Sequence, residues 1–256
     1  LRGDDLLFGF TDGTVRIGRL ELRSLIVPTN AVPTGLRKLD ERDSTDGTAV
    51  FSKVPGQFRK TSVEIALDQP VQIAEAGVAI MKGDYRVGGS AERPLRTFVT
   101  LDASGKMRLS QAYSEINMMT GDATTTVSNA EIPLAFAAAD VTKVLLNTPG
   151  DRVLVATRDG TIHRYNTRDF QNPKLAEKFK VTPEGVDLTA VPFLNAETSI
   201  VTGGSDGSVS VWFSVDRQSK ETADGLVMTK VHADFAKQGA AITDIRVSQR
   251  TRMFTT

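Results

Sequence analysis

Apolar and polar residues alternate along this chain in short runs, and the runs come in pairs joined at Asp-Gly. Leu6 to Phe10 leads through Asp12-Gly13 to Thr14-Val15-Arg16-Ile17. Val153 to Thr157 leads through Asp159-Gly160 to Thr161-Ile162-His163-Arg164-Tyr165, and Ile200 to Gly204 leads through Asp206-Gly207 to Ser208-Val209-Ser210-Val211-Trp212. A looser copy runs from Phe98 to Leu109 around Asp102-Ala103-Ser104-Gly105. Period-two alternation on both sides of Asp-Gly predicts a β-hairpin. A two-residue turn that follows the twist of the strands needs a positive φ, which Gly adopts without a Cβ clash.

A second pattern precedes the hairpin at a fixed distance: apolar, Thr, any, apolar. It reads Val141-Thr142-Lys143-Val144, Leu188-Thr189-Ala190-Val191 and Ile242-Thr243-Asp244-Ile245. Val141 to Asp159 and Leu188 to Asp206 are both 18 residues apart, so the two patterns belong to one unit. After the hairpin there is room for one more strand, at Glu177 to Val181 and at Leu226 to Val231. Four strands every 47 to 54 residues is the period of a β-propeller blade. Two stacked sheets would also give short, evenly spaced strands, but not the constant offset.

The expected fold is therefore all-β: one propeller-like domain over residues 1–256, with several blades of four antiparallel strands. Its first third is irregular. Asp12 and Asp102 are 90 residues apart, almost two periods, and Asn30 to Asp46 is polar and charged with little alternation. That stretch reads as a long excursion between strands, and Tyr113 to Asp122 as another long loop. Thr61 to Leu67 alternates as a strand, and Ala233 to Gln238 could turn once or twice as a helix before Gly239. The pattern stops within Met253 to Thr256, where a new unit's second strand is due, so the last blade is expected to be truncated. With no initiator Met and no basic-then-apolar leader, the chain reads as a segment of a longer polypeptide.

Composition narrows the chemistry. The chain holds 31 basic and 31 acidic side chains, so it lacks the cationic surplus that phosphate contacts on nucleic acid require. It has no Cys, which removes disulfides, thiolate zinc, iron–sulfur ligation and thiol catalysis. Its longest mostly apolar run, Ile132 to Ala139, is far shorter than the ~20 residues that span a bilayer.

Individual motifs give little catalytic signal. Gly203-Gly204-Ser205-Asp206-Gly207 fits G-x-S-x-G, yet a nucleophile elbow leads from strand to helix, and the residues that follow here alternate as a strand. His163 and His232 lie in different units, outside any metal-ligand spacing. Gly88-Gly89-Ser90 lacks the Lys-Ser/Thr ending of a phosphate loop, and the triplet Arg2-Gly3-Asp4 is too short to carry an argument. The turn aspartates Asp12, Asp159 and Asp206 have a structural explanation, since an Asx side chain hydrogen-bonds its own turn. Trp212 is expected to pack between blades. Arg158 and Arg164 read as solvated charge on a loop surface. No cofactor, metal or catalytic residue is expected.

The runs Asp206 to Trp212 and Asp159 to Tyr165, with the repeat length, resemble WD40-like propellers, although the Gly-His pair and Trp-Asp ending of that family are missing. Over most of its length, including Asp5 to Gly13 and Arg250 to Thr255, the chain resembles the large soluble insert of an enlarged bacterial phosphate ABC transporter permease subunit. That resemblance implies a non-catalytic domain on the periplasmic side of the inner membrane, held to the membrane through its parent chain only. It implies a protein partner as well, either another transporter subunit or the phosphate-binding protein. A propeller presents a broad face of turns, and Thr11, Asp12, Arg158, Asp159, Ser205 and Asp206 would contribute to such an interaction face. Two alternatives stand beside it: a free-standing, cytoplasmic WD40-like scaffold, and an enzyme with its site in the propeller channel.

Overall fold

The computed structural model describes residues 5–32, 34–35, 44–45, 49–55, 57–90, 93–116, 119–120, 123–194, 197–232, 235, 237–248 and 253–256. The fold is all-β, with single 3-10 turns at Thr29–Ala31 and Ala138–Asp140 as its helical elements among those residues. The chain divides into two compact units.

The first unit, Leu1–Phe8 with Arg16–Pro70, is built on a long antiparallel ribbon. Strands β1 (Asp5–Gly9), β2 (Thr14–Val27), β3 (Ser44–Thr45), β4 (Ala49–Val54) and β5 (Gln57–Leu67) pair in the order β1-β2-β5-β4-β3. β2 and β5 run in register from Gly18 opposite Leu67 to Val27 opposite Phe58. Val32, Ala49, Phe51 and Phe58 form a small core near the far end of the ribbon. Because side chains alternate across a strand, one face of the ribbon carries the cross-strand pairs Leu20–Ile65 and Leu22–Val63. The opposite face carries Arg23 between Glu21 and Glu64 at 3.6 and 3.2 Å. The expected excursion from Asn30 to Asp46 falls mostly outside the described residues, and within them it includes the 3-10 turn and β3. The strand expected at Thr61 to Leu67 is the second half of β5. The 90-residue gap between Asp12 and Asp102 thus holds one repeat step plus this inserted unit.

The second unit, Gly9–Val15 with Val71–Thr256, contains the repeats. Strand β6 (Val71–Gln72) pairs with the start of β2, placing Val71 opposite Val15. Three four-stranded antiparallel sheets follow, each with its strands in chain order. They are β7 (Ile80–Gly89), β8 (Pro94–Asp102), β9 (Met107–Ile116) and β10 (Ala123–Ile132); β11 (Val141–Leu146), β12 (Arg152–Thr157), β13 (Thr161–Asn166) and β14 (Lys174–Lys180); and β15 (Leu188–Ala190), β16 (Ser199–Gly204), β17 (Val209–Asp216) and β18 (Leu226–His232). A short pair, β19 (Arg246–Val247) with β20 (Phe254–Thr255), ends the chain. The sequence pattern over Ile242 to Val247 therefore yields a strand only at its last two residues. Tyr113 to Ile116, expected in a loop, extend β9, while the short helix expected over Ala233 to Gln238 falls largely outside the described residues.

Each middle sheet is buried on both faces. On β12, Val153 and Val155 join Val99, Leu101, Met107 and Leu109 of the preceding sheet, whereas Leu154 and Ala156 join Ile200, Trp212 and Met228 of the following one. A third core gathers Val201, Val209 and Val211 with Ile242 and Ile245. A strand with apolar neighbours on both sides reads as a nearly continuous hydrophobic run, which is why Val153 to Ala156 and Ile200 to Val201 look so uniform in sequence. Trp212 packs at the seam between the second and third sheets, its ring 5.7 Å from that of Phe179, and its Nε1 donates to Thr202 Oγ1 at 3.1 Å.

The Thr of the leading pattern has a definite task. β11 shifts register at Thr142 and β15 at Thr189, and each hydroxyl donates to a carbonyl of the next strand, Ala156 O at 3.1 Å and Gly203 O at 3.0 Å. The hydroxyl thus satisfies a carbonyl where the bulge interrupts the ladder.

Candidate functional site

The candidate interaction residues lie on three turns, one joining β1 to β2 and the others joining β12 to β13 and β16 to β17, the second and third strands of their sheets. Each turn has three residues, not the two expected from Asp-Gly alone. Thr11-Asp12-Gly13 and Ser205-Asp206-Gly207 are closed by Phe10 N–H to Thr14 O and Gly204 N–H to Ser208 O, both at 2.9 Å, and across Arg158-Asp159-Gly160 the Thr157 hydroxyl lies 3.0 Å from Thr161 O. In each the Gly N–H also bonds back three residues, and the Gly takes φ of +87, +80 and +81°. This is the three-residue hairpin with a left-handed third position, and the residue before Asp is the extra one.

The aspartate carboxylates accept hydrogen bonds from their own loops, although Asp12 and Asp159 are themselves exposed. Asp12 Oδ1 accepts from Thr14 N–H at 2.9 Å and its hydroxyl at 2.7 Å. Asp159 accepts from the Thr157 and Thr161 hydroxyls at 2.6 and 2.7 Å and from Thr161 N–H at 3.2 Å. Asp206 Oδ1 accepts from Ser208 N–H at 3.1 Å and its hydroxyl at 2.6 Å, while Lys237 Nζ lies 2.8 Å from Oδ2. Donated hydrogen bonds favour the charged carboxylate. The Thr14 hydroxyl and N–H hold Asp12 below the usual range, the Thr157 and Thr161 hydroxyls do so for Asp159, and Lys237 with Ser208 brings Asp206 down to about 2. Asp102, in the looser copy, is pushed up by burial but pulled down further by Ser104, Arg108 and Lys106.

The glycine carbonyls link the turn to the chain leaving the sheet. Gly13 O accepts from Ile73 and Ala74 N–H at 3.1 Å, Gly160 O from Val181 N–H at 2.8 Å, and Gly207 O from Gln238 N–H at 3.1 Å. Further links reach the start of the following repeat: Ile80 N–H of β7 to Phe10 O at 3.1 Å, Leu188 N–H of β15 to Arg158 O at 3.2 Å, and Ile242 N–H, ahead of β19, to Gly204 O at 3.1 Å. The residue before each Asp is also open to a partner. Thr11, Arg158 and Ser205 are exposed, and the Arg158 guanidinium has no partner among the described residues; the Ser205 hydroxyl is engaged by Asp187 N–H at 3.0 Å.

Two charged networks stand apart from these turns, and the sequence reading missed both. Arg164, read there as solvated, has no exposed surface. It shares the face of Ile162, two residues before it on the same strand, and that parity was the available signal. Its Nε donates to Glu177 Oε2 at 3.0 Å, and its two terminal nitrogens donate to Asp224, one of them also to Leu226 O at 2.8 Å. Glu177 Oε1 in turn accepts from Met228 N–H at 2.9 Å, so the cluster ties β13 and β14 to β18. The second network joins all three sheets toward the far ends of their first strands. Asp84 accepts from Leu146 N–H at 2.8 Å, Arg86 lies 3.4 Å from Asp84 and 3.3 Å from Glu197, and Glu197 accepts from Thr148 N–H. Glu197 holds φ at +53°, a costly conformation for a residue with a Cβ. Nothing in the sequence around it signals that.

His163 is buried, 3% exposed, with its ring 4.0 Å from Phe136. Among the described residues no group of three or more His, Asp and Glu could hold a metal ion, and no helix is long and apolar enough to cross a membrane. The chain matches no family model and no curated protein.

Proposed function

We propose that the successive four-stranded sheets are blades of a β-propeller and that the chain is a non-catalytic docking platform. The propeller reading is supported by the burial of both faces of the middle sheets and by the recurring bond from the Gly carbonyl to the chain leaving each sheet. The platform reading is carried by one observation: the turn aspartates brace their own loops through hydrogen bonds, and the tips Thr11-Asp12, Arg158-Asp159 and Ser205 stay exposed. Rigid turns with variable exposed tips suit recognition of a protein surface.

The resemblance to the permease insert supports a platform on the periplasmic side of the inner membrane, with another transporter subunit or the phosphate-binding protein as its partner. The test is an immunoblot of fractionated source cells, with protease added to intact spheroplasts. An inner-membrane band well above 27.7 kDa, trimmed by external protease, supports the permease insert. A soluble, protease-shielded band overturns that placement and leaves the free-standing scaffold. Placing a photocrosslinker at Arg158 then tests the face: adducts there, and none from an equivalent probe at Lys82 on β7, are expected.

A further inference from the structure

We propose that the pocket between the second and third sheets, lined by Asn166, Arg168, Asp169, Asn172, Lys174 and Ala223, binds a small hydroxylated anion such as a sugar phosphate or a hydroxycarboxylic acid. It lies on the loop between β13 and β14 and on Ala223 ahead of β18, away from the Asp-Gly turns.

The lining follows from register. Arg152 on β12 pairs with Asn166 on β13, which pairs with Lys174 on β14, so the three form one row across the sheet. Asn166 has the same parity as Arg164, whose guanidinium reaches Asp224 of the third sheet, so the row stands on the side that faces that sheet. Ala223 N–H donates to Ala176 O at 3.2 Å and holds the opposite wall against β14.

Charge in this corner favours an anion. The carboxylates of Glu177 and Asp224 are taken up by Arg164 and by main-chain N–H groups. Lys174 and Arg152 make no ion pair among the described residues, and Arg168 has only a 3.8 Å contact with Asp151. Burial, then the neighbouring Arg164 charge, push Arg152 below its ordinary value.

Size and polarity select within anions. A volume of about 320 Å³ exceeds what one inorganic ion fills and sits at the lower end of small-molecule sites. Asn166 Oδ1 already accepts from Arg168 N–H at 3.0 Å, which leaves its amide hydrogens as donors. Asp169 repels a bare anion but accepts from hydroxyl groups, so a ligand carrying both an oxyanion and hydroxyls satisfies the whole lining.

The test is calorimetric titration of the full chain with glucose 6-phosphate and citrate, with glucose and inorganic phosphate alongside. Saturable binding of at least one hydroxylated anion, tighter than that of glucose or phosphate, is expected. Arg168→Gln and Lys174→Gln are exposed changes that should keep the far-ultraviolet circular dichroism, and each should weaken that binding by about tenfold. Asp169→Asn should narrow the preference over inorganic phosphate. Absence of saturable binding by either hydroxylated anion at millimolar concentration overturns the proposal. So does binding that survives both cation replacements, or equal binding of phosphate that Asp169→Asn leaves unchanged.

Discussion

The guanidinium of Arg164 on β13 grips the carboxylate of Asp224, ahead of β18, with both terminal nitrogens, one at 2.9 Å, across the seam between two sheets. The Arg164 side chain is 1% exposed and that of Asp224 17%, so the pair sits where water screens it little. Sixty residues separate the partners in the chain. The pair fixes how the two sheets meet as well as how firmly, because a planar fork on a carboxylate accepts one geometry.

Removing one partner leaves the other buried and uncompensated. Arg164→Met and Asp224→Ala are each expected to cost about 3 kcal/mol in urea unfolding, and the double variant clearly less than the sum. The pair also sets an acid limit. Burial works to raise the Asp224 pKa, but the hydrogen bonds and charge of Arg164 outweigh it and leave it lowered. A lowered carboxylate contributes stability that is full above the unfolded value and is lost as pH falls through the folded one. Unfolding midpoints should therefore drop below about pH 4 in the parent chain, and Arg164→Met should blunt that drop.

The turn glycines differ in what they tolerate. A Cβ on Gly160 would lie 1.6 Å from Thr182 Oγ1, and one on Gly207 would lie 2.2 Å from Gln238 O. Gly77 has the same positive φ, at +83°, with nothing within 4 Å of a built Cβ. Gly77→Ala should then cost only the strain of a left-handed residue, about 1–2 kcal/mol. Gly207→Ala should cost more, because the clash is with main chain of the segment leaving the sheet. Gly160→Ala should fall between them, since Thr182 can turn its hydroxyl away at the loss of its 2.7 Å bond to Val186 O, but its Cβ, 2.9 Å from the added one, must shift with the chain. Thermal melts of the three variants should rank in that order.

How much of this was legible follows from what each residue's environment depends on. The hairpins at Asp12, Asp159 and Asp206 were readable because turn and flanking strands are local, and the unbroken apolar run Val153 to Ala156 reports burial on both faces. The third turn residue was not, since Asp-Gly alone does not fix loop length. The second reason for glycine at Gly160 and Gly207 lies in Thr182 and Gln238, residues that only the fold brings back. The ribbon of β2 and β5 misleads in the opposite sense. Leu22 and Ile65 alternate like core residues yet are 75% and 49% exposed. Arg158 and Arg164 look alike as letters; the place of Arg158 in the turn and the parity of Arg164 with Ile162 on β13 separate the exposed tip from the buried clamp. Of the candidate face, the positions were readable; that its aspartates are committed to their own loops needed the Thr14, Thr161 and Ser208 geometry.

Lys237 and Asp206 meet at the rim of the third turn, with side chains 62% and 24% exposed. Lys237→Met should let the Asp206 carboxyl titrate measurably above about 2, while the Ser208 hydroxyl and N–H keep it under the ordinary Asp value. Carboxyl-detected nuclear magnetic resonance titration reads this directly. Stability should change by less than about 0.5 kcal/mol, as exposed pairs contribute little. A large loss would mean that the segment after β18 depends on this contact rather than on the Gln238 to Gly207 bond.

His163 gives the fold a second sensitivity to acid. Its neighbours across the sheet are Val155 and Lys178, the Phe136 ring covers it, and its buried Nδ1 has no partner among the described residues. Burial first, then the Lys178 charge, lower its pKa, and the nearby Asp159 offsets this only in part. The native state therefore refuses a proton that the unfolded chain accepts near pH 6.5. Stability from the neutral ring is complete above that value and falls as pH drops below it, until the native imidazole is itself protonated. Urea midpoints should decline between about pH 7.5 and about pH 5.5. His163→Phe, which keeps an aromatic ring against Phe136 and removes the titrating nitrogen, should flatten the profile over that interval. An unchanged slope in the variant would assign the acid response to other groups and leave His163 as packing alone.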